Sequence, residues 1–257
     1  DDHEKHYEIS KFFIKKGLPI YIDKPIAIKK NIAQQIFDLE QYEGQIFTCS
    51  AIGNSKEFKL SKEDYNNLGK LEYVDACIIK DWERYSGHII EPVLKIIGNQ
   101  GQITKTNTSV IENKKIVTIG WESGLVTNFT AFGNRMPAPI SIRIYGEKGG
   151  IFWNQENPNY LKYSPLGKPP SILSRSGPEI YSVSKDVTRI PAGHPEGYLE
   201  GFANIYSDVA NAIWEKIEKG KTISKSIYPN VYDGLNGIKF IEKTVESSTS
   251  NSLWVKF

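Results

Sequence analysis

The sequence predicts an α+β fold: a large, mostly antiparallel open sheet with helices on one face, preceded by a short helix and strand. Three observations predict it. An amphipathic stretch and a five-residue apolar run stand near the start, β-rich segments crowd the region from about Gly44 to Trp153, and two long stripes of helical period fill the end.

From about His3 to Lys16 the chain is polar, with Tyr7, Ile9, Phe12 and Phe13 at roughly helical spacing and Gly17 as a stop. Leu18-Pro19-Ile20-Tyr21-Ile22 follows as a short apolar run of the kind that forms a buried strand, and it ends abruptly in Asp23-Lys24-Pro25. A helix, a strand and then charge is the second half of a βαβ unit. In open α/β sheets, ligands sit outside the carboxyl ends of the strands.

The β-rich segments are Gln45 to Ile52, Leu71 to Ile79, Gln102 to Ile111, Lys115 to Trp121, Leu125 to Phe132 and Ile140 to Tyr145. Ile140-Ser141-Ile142-Arg143-Ile144 alternates most clearly, with isoleucines on one face and polar groups on the other. Glu122-Ser123-Gly124 and Glu147-Lys148-Gly149-Gly150 read as turns. Within this region Ile89, Ile90, Val93, Leu94, Ile96 and Ile97 make a helix apolar almost all round, with His88 at its start and Gly98 closing it. After Trp153, about forty residues rich in proline read as a long loop, functional or disordered. Phe202, Ile205, Val209 and Ile213, then Val231, Leu235, Ile238, Ile241 and Val245, mark two helices expected to pack on the open face of the sheet.

Bulk composition narrows the function classes. The 257 residues, 39% hydrophobic and 24% charged, suit one globular domain or two small ones. Lys and Arg number 32 against 30 Asp and Glu, without long runs of like charge, so neither nucleic acid nor an acidic membrane is an expected partner. Cys49 and Cys77 lack metal-ligand or CxxC spacing and read as buried thiols of a reducing cytoplasm. Asn107-Thr108-Ser109 and Asn128-Phe129-Thr130 match the glycosylation sequon, but no charged and apolar leader accompanies them. No apolar run is long enough to span a membrane. A cytoplasmic protein is expected. Because the chain opens Asp1-Asp2-His3 and its single methionine is Met136, an upstream part is expected as well.

Two residues stand out chemically. Lys24, directly after a buried strand and flanked by Asp23 and Pro25, would be partly desolvated, which lowers an amine's pKa toward useful acid chemistry; a surface ion pair with Asp23 is the plainer reading. His88, at a helix N-terminus, would stay neutral because the positive end of the helix disfavours imidazolium, and a neutral imidazole can take a proton from an alcohol. Packing or capping is the alternative for that histidine. His3 and His6 have His-x-x-His spacing but read as a solvated helical turn, with no metal expected. Tyr85, Trp82, Trp121 and Trp153 could stack on sugar rings or simply pack.

Four ordered segments resemble the glucose-fructose oxidoreductase and inositol dehydrogenase (Gfo/Idh/MocA) family: His3-Glu4-Lys5-His6-Tyr7-Glu8, Tyr21-Ile22-Asp23-Lys24-Pro25, Gly87-His88-Ile89-Ile90-Glu91, and Gly193-His194-Pro195-Glu196-Gly197-Tyr198 running into Phe202-Ala203-Asn204. The ending from Tyr232-Asp233-Gly234-Leu235 to Glu246-Ser247-Ser248 is similar too. The resemblance implies that residues 1–28 close a Rossmann dinucleotide-binding domain and that 29–257 form the substrate-binding and oligomerisation domain. It implies NAD or NADP as cofactor, a sugar-like substrate, and a homo-oligomer formed through the sheet. It makes Lys24 and His88 catalytic, places Lys24 and Pro25 beside the cofactor, and assigns Tyr85, Glu91 and His194 to the substrate. This chain departs from the family pattern in Asp23 for glutamate, Arg84 for an aspartate four residues before the histidine, and Ser86 for glycine. No two of the 21 glycines are spaced G-x-G, so tight binding of the dinucleotide by these residues alone is not expected. A non-catalytic carbohydrate-binding or assembly module is the alternative.

Overall fold

The computed structural model describes residues 3–50, 52, 62–134, 136–174, 198–220 and 230–257. Its first unit is a small parallel sheet. After a 3-10 turn at His3–Lys5, α1 (His6–Lys15) leads through Gly17 into β1 (Ile20–Tyr21), and α2 (Lys30–Phe37) crosses over to β2 (Ile46–Phe47). Parallel pairing requires such a crossover, and the register sets Ile20 against Ile46 and Tyr21 against Phe47.

The segment from Gln45 to Ile52 was expected in the large sheet and instead supplies β2 to this small one. Gln45 is the reason. Its buried Nε2 donates to the carbonyls of Ile14 and Leu18, at 2.7 and 3.1 Å, and its own carbonyl accepts from the Ile20 N–H. Those bonds lock it to α1 and β1.

The expected apolar stripe of α1 also faces the other way. Ser10 and Ile14 are its buried residues, whereas Ile9, Phe12 and Phe13 are exposed. His3 is buried rather than solvated, packed edge-on against His6, whose Nδ1 lies 3.2 Å from the Ile26 carbonyl.

The second unit is the nine-stranded sheet. After α3 (Lys62–Leu68) come β3 (Leu71–Ile78), α4 (Trp82–Tyr85), α5 (Gly87–Ile97), β4 (Ile103–Ile111), β5 (Lys114–Trp121) and β6 (Val126–Ala131). There follow β7 (Ser141–Gly146), β8 (Gly149–Asn154), β9 (Tyr160–Pro165), β10 (Ser171–Ser174), α6 (Tyr198–Lys219), α7 (Val231–Thr249) and β11 (Val255–Lys256). The strand order is β10-β9-β8-β7-β3-β6-β5-β4-β11, with β3 and β6 parallel and the other neighbours antiparallel.

The proline-rich stretch read as a loop thus contains β9 and β10. Pro165 ends β9 and Pro169-Pro170 precede β10, so no ring removes an N–H from inside either strand. These outer strands carry little apolar alternation because neither face is fully covered.

One face of the sheet holds the core. Val74, Ala76 and Ile78 of β3, Val117 and Ile119 of β5, Phe129 of β6 and Ile142 and Ile144 of β7 are buried there, as the alternation around Arg143 predicts. Against them lie Ile89, Ile90, Val93 and Ile96 of α5 and Ile238, Phe240 and Ile241 of α7. The opposite face is polar and aromatic: Arg143 sits 3.8 Å from Asp75, Asn128 donates to Asp75, and Tyr73 neighbours Tyr145. Helix α7 opens on a capping box between Asn230 and Asp233, and its Glu242 accepts the Lys30 N–H of α2, joining the two units.

Helix α6 does not lie on the large sheet as expected. Val209 and Ala212 cluster with Phe47 and Tyr21, and Tyr206 approaches the Tyr21 ring, so this stripe covers the small parallel sheet. Among the described residues no helix is long and apolar enough to cross a membrane.

Candidate active site

The carboxyl ends of β1 and β2 meet the start of α5. Lys24 follows β1 by way of Asp23 and precedes Pro25 through a cis peptide bond. Its Nζ stands 4.8 Å from the centre of the Tyr85 ring, and the Lys80 Nζ is 5.5 Å from the same ring. On Tyr85 also leans His88, ring centre to ring centre 6.1 Å at 32°. Lys24, Tyr85 and His88, three of the residues singled out in the sequence, therefore form one cluster.

The electrostatics of the pair are coupled. Burial lowers the Lys24 ammonium below its ordinary range, against the attraction of Asp23, Glu91 and Asp81. His88 is held down at about 4, first by burial and second by the nearby Lys24 cation. The imidazole is thus neutral, as the sequence suggests, with burial as the first cause. His88 is the second residue of α5, whose N-cap Ser86 makes no side-chain capping bond, so the helix-start position read from the sequence holds.

Behind this cluster a narrow cleft runs between α4–α5 and α7, lined by Lys24, Pro25, Arg84, Glu91 and Asp233 among others. Gly234 allows the close approach of α7, since a Cβ there would meet the Thr48 Cγ2 at 2.7 Å. Glu91 lies one turn beyond His88 and accepts the backbone N–H of Ser50. His194 lies outside the described residues, so its expected place at the substrate is neither drawn in nor separated here. Arg84 lines the cleft but is exposed, and it carries donors only.

Ser50 was missed. Its hydroxyl is 2.6 Å from the His88 Nδ1. A lone serine after a strand carries no signal of its own, and nothing in local spacing connects it with a histidine 38 residues on. Lys80, the second cation beside Tyr85, was missed for the same reason. Cys49 is a buried free thiol with its pKa pushed up to about 12 by burial, which leaves it unreactive. Among the described residues no group of His, Cys, Asp and Glu could hold a metal ion.

Glu91 gives the site a pH signature. Burial pushes its carboxyl up to about 7 from an ordinary 4.5, against the Ser50 N–H and the Lys95 charge, which favour the anion. The native state therefore holds this proton more tightly than the unfolded chain between those values, and stability falls as pH rises through that window. His88 acts in the opposite sense: lowered from 6.5 to about 4, it binds fewer protons in the native state, and stability rises with pH over that interval. The two slopes oppose each other from about 4.5 to 6.5, and Glu91 alone acts above. Glu91→Gln should accordingly gain stability over the parent as pH rises from about 5 to 8, on the order of 1–2 kcal/mol. Denaturant melts at both pH values measure this, and an equal difference at both would remove Glu91 as the source.

A strand end bearing a desolvated lysine stands beside a neutral histidine on a buried helix, and comparison with known proteins places the chain. Residues 52–257 match the family model described as the oxidoreductase family, C-terminal alpha/beta domain (Gfo/Idh/MocA). The chain belongs to that family. It is 27% identical to an uncharacterized oxidoreductase, YfiI, of Bacillus subtilis, over 98% of this chain and 75% of that protein. An oxidoreductase structure from Sinorhizobium meliloti, 27% identical, superposes with a TM-score of 0.82 over 100% of this chain and 77% of the other. An inositol dehydrogenase homolog from Azotobacter vinelandii, complexed with NADH and myo-inositol, shares the fold at 19% identity and a TM-score of 0.86, covering 98% of this chain and 75% of that one.

Proposed function

We propose that this chain provides the substrate side of an NAD- or NADP-dependent dehydrogenase that oxidises a hydroxyl of a sugar, cyclitol or nucleotide-sugar, or reduces the matching ketone. The observation that carries the reading is the convergence of Lys24 and His88 on Tyr85 at the carboxyl end of parallel β1. The Azotobacter vinelandii relative, with its NADH and myo-inositol, supports the same class of cofactor and substrate.

The residues at this strand end fit the nicotinamide end of such a cofactor: Lys24 and Pro25 would border it, in a half-buried setting that limits water. When bound, the nicotinamide ring supplies the acceptor for the hydride that leaves the carbinol carbon. The Lys24 ammonium donates a hydrogen bond to the substrate oxygen and fixes its direction. The neutral His88 takes the hydroxyl proton at its Nε2 as the carbonyl forms, and returns it in the reductive direction. Tyr85 offers its ring to a sugar face, and Glu91, with His194, contributes polar contacts to the substrate.

In this reading residues 1–28 belong with the dinucleotide-binding domain and the remainder with substrate and assembly. The polar and aromatic outer face of the sheet, with Tyr73, Tyr145 and the Asp75–Arg143 pair, is the surface through which a homo-oligomer would form. Both cysteines are free thiols, in keeping with a cytoplasmic setting.

The test is an assay of the full-length protein against polyols and sugars with NAD⁺ and NADP⁺, following nicotinamide reduction. Turnover of at least one polyol is expected. A protein that binds such ligands in calorimetry yet turns none over would be the non-catalytic module instead.

A further inference from the structure

We propose that Ser50 is the positioning residue for His88, holding its imidazole in the tautomer whose Nε2 is free to take a proton. The inference rests on the reading of His88 as the base, and adds the residue that sets it.

The geometry is specific. The Ser50 Oγ lies 2.6 Å from the His88 Nδ1, and Ser50 is 0% exposed. Its backbone is pinned as well, because the Ser50 N–H donates to Glu91, one turn beyond His88 on the same helix. The hydroxyl is thus carried on a strut fixed to α5 itself, and Tyr85 flanks the imidazole. Among the described residues the ring has this one polar contact at Nδ1, and it keeps the ring's orientation.

A neutral imidazole carries its hydrogen on one nitrogen, and the partner of the other nitrogen decides which. If Nδ1–H donates to the Ser50 oxygen, Nε2 keeps its lone pair and serves as a base. If Ser50 donates instead, the hydrogen sits on Nε2 and His88 cannot accept a proton there. The proposal therefore commits to Nδ1–H donating to Ser50. Arg84, one turn before His88, cannot supply the acceptor, since a guanidinium has donors only. Lys24 and Lys80, the cations around Tyr85, cannot do so in their charged forms.

Ser50→Ala in the full-length protein is the test, because it deletes the hydroxyl while leaving the N–H that holds Glu91. Long-range proton–nitrogen correlation spectra of the His88 ring report the tautomer with no cofactor or substrate present. The parent should show hydrogen on Nδ1, and the variant a shift of population toward Nε2. In steady-state assays kcat should fall about tenfold with KM changed less than about twofold, as expected for loss of one orienting hydrogen bond. A parent ring protonated on Nε2, or a tautomer unchanged by the substitution, overturns the proposal. A shifted tautomer with unchanged turnover upholds Ser50 as the residue that sets the ring, and removes His88 from the chemistry.

Discussion

His88→Ala should lower kcat by about 10²–10⁴-fold in the full-length protein, the range a positioned general base contributes, while leaving cofactor affinity within about threefold. The separation follows from where the side chain sits. His88 leans on Tyr85 and bonds to Ser50, with its pKa held at about 4, so it is neutral throughout the physiological range. Removing the ring deletes the proton acceptor and leaves β1 and Pro25, which border the proposed cofactor, in place. Lys24→Ala should lose turnover comparably, and some cofactor affinity as well, because Lys24 stands on both sides of the proposed reaction. Measuring kcat, KM and cofactor dissociation for each variant separates the roles. Parent-like turnover in both would exclude the pair from the mechanism.

The largest effect on stability is expected at Trp82. This side chain is 1% exposed, and its Nε1–H donates to the Thr244 Oγ1 at 2.8 Å, tying α4 to α7. Its ring meets Phe129 of β6 at 6.3 Å and Phe240 of α7 at 6.2 Å, so one residue joins sheet, α4 and the central helix. Trp82→Ala removes the largest fully buried side chain and the N–H that the Thr244 Oγ1 accepts, costing about 3–5 kcal/mol. Trp82→Phe keeps most of the volume and should cost clearly less. Denaturant unfolding distinguishes them, and equal losses would place the effect in the hydrogen bond rather than in packing. Because α4 runs directly into α5, Trp82→Ala should also loosen His88.

Much of this architecture is legible in the residues. Alternation around Arg143 sets the inward face of β7, and the apolar run from Ile89 to Ile97 marks a buried helix. The charge that ends the first apolar run places Lys24 at a strand end. What failed is equally specific. β9 and β10 lie at the sheet's margin, where neither face is fully covered and no apolar alternation is needed, so their prolines dominated the pattern. The stripe of α6 was real, but a stripe says that a face is buried and not against which sheet.

The sequence by itself determined the periodicities that make each main element, and the order of Lys24, His88 and Glu91 along them. Those are local properties, written in spacing. Tertiary structure alone decided that β2 leaves the large sheet for β1, that His88 is buried beside the Lys24 cation, and that Ser50 is its partner. Each depends on groups distant in the chain being brought within bonding range and cut off from water. Desolvation and hydrogen-bond geometry arise only from that assembly.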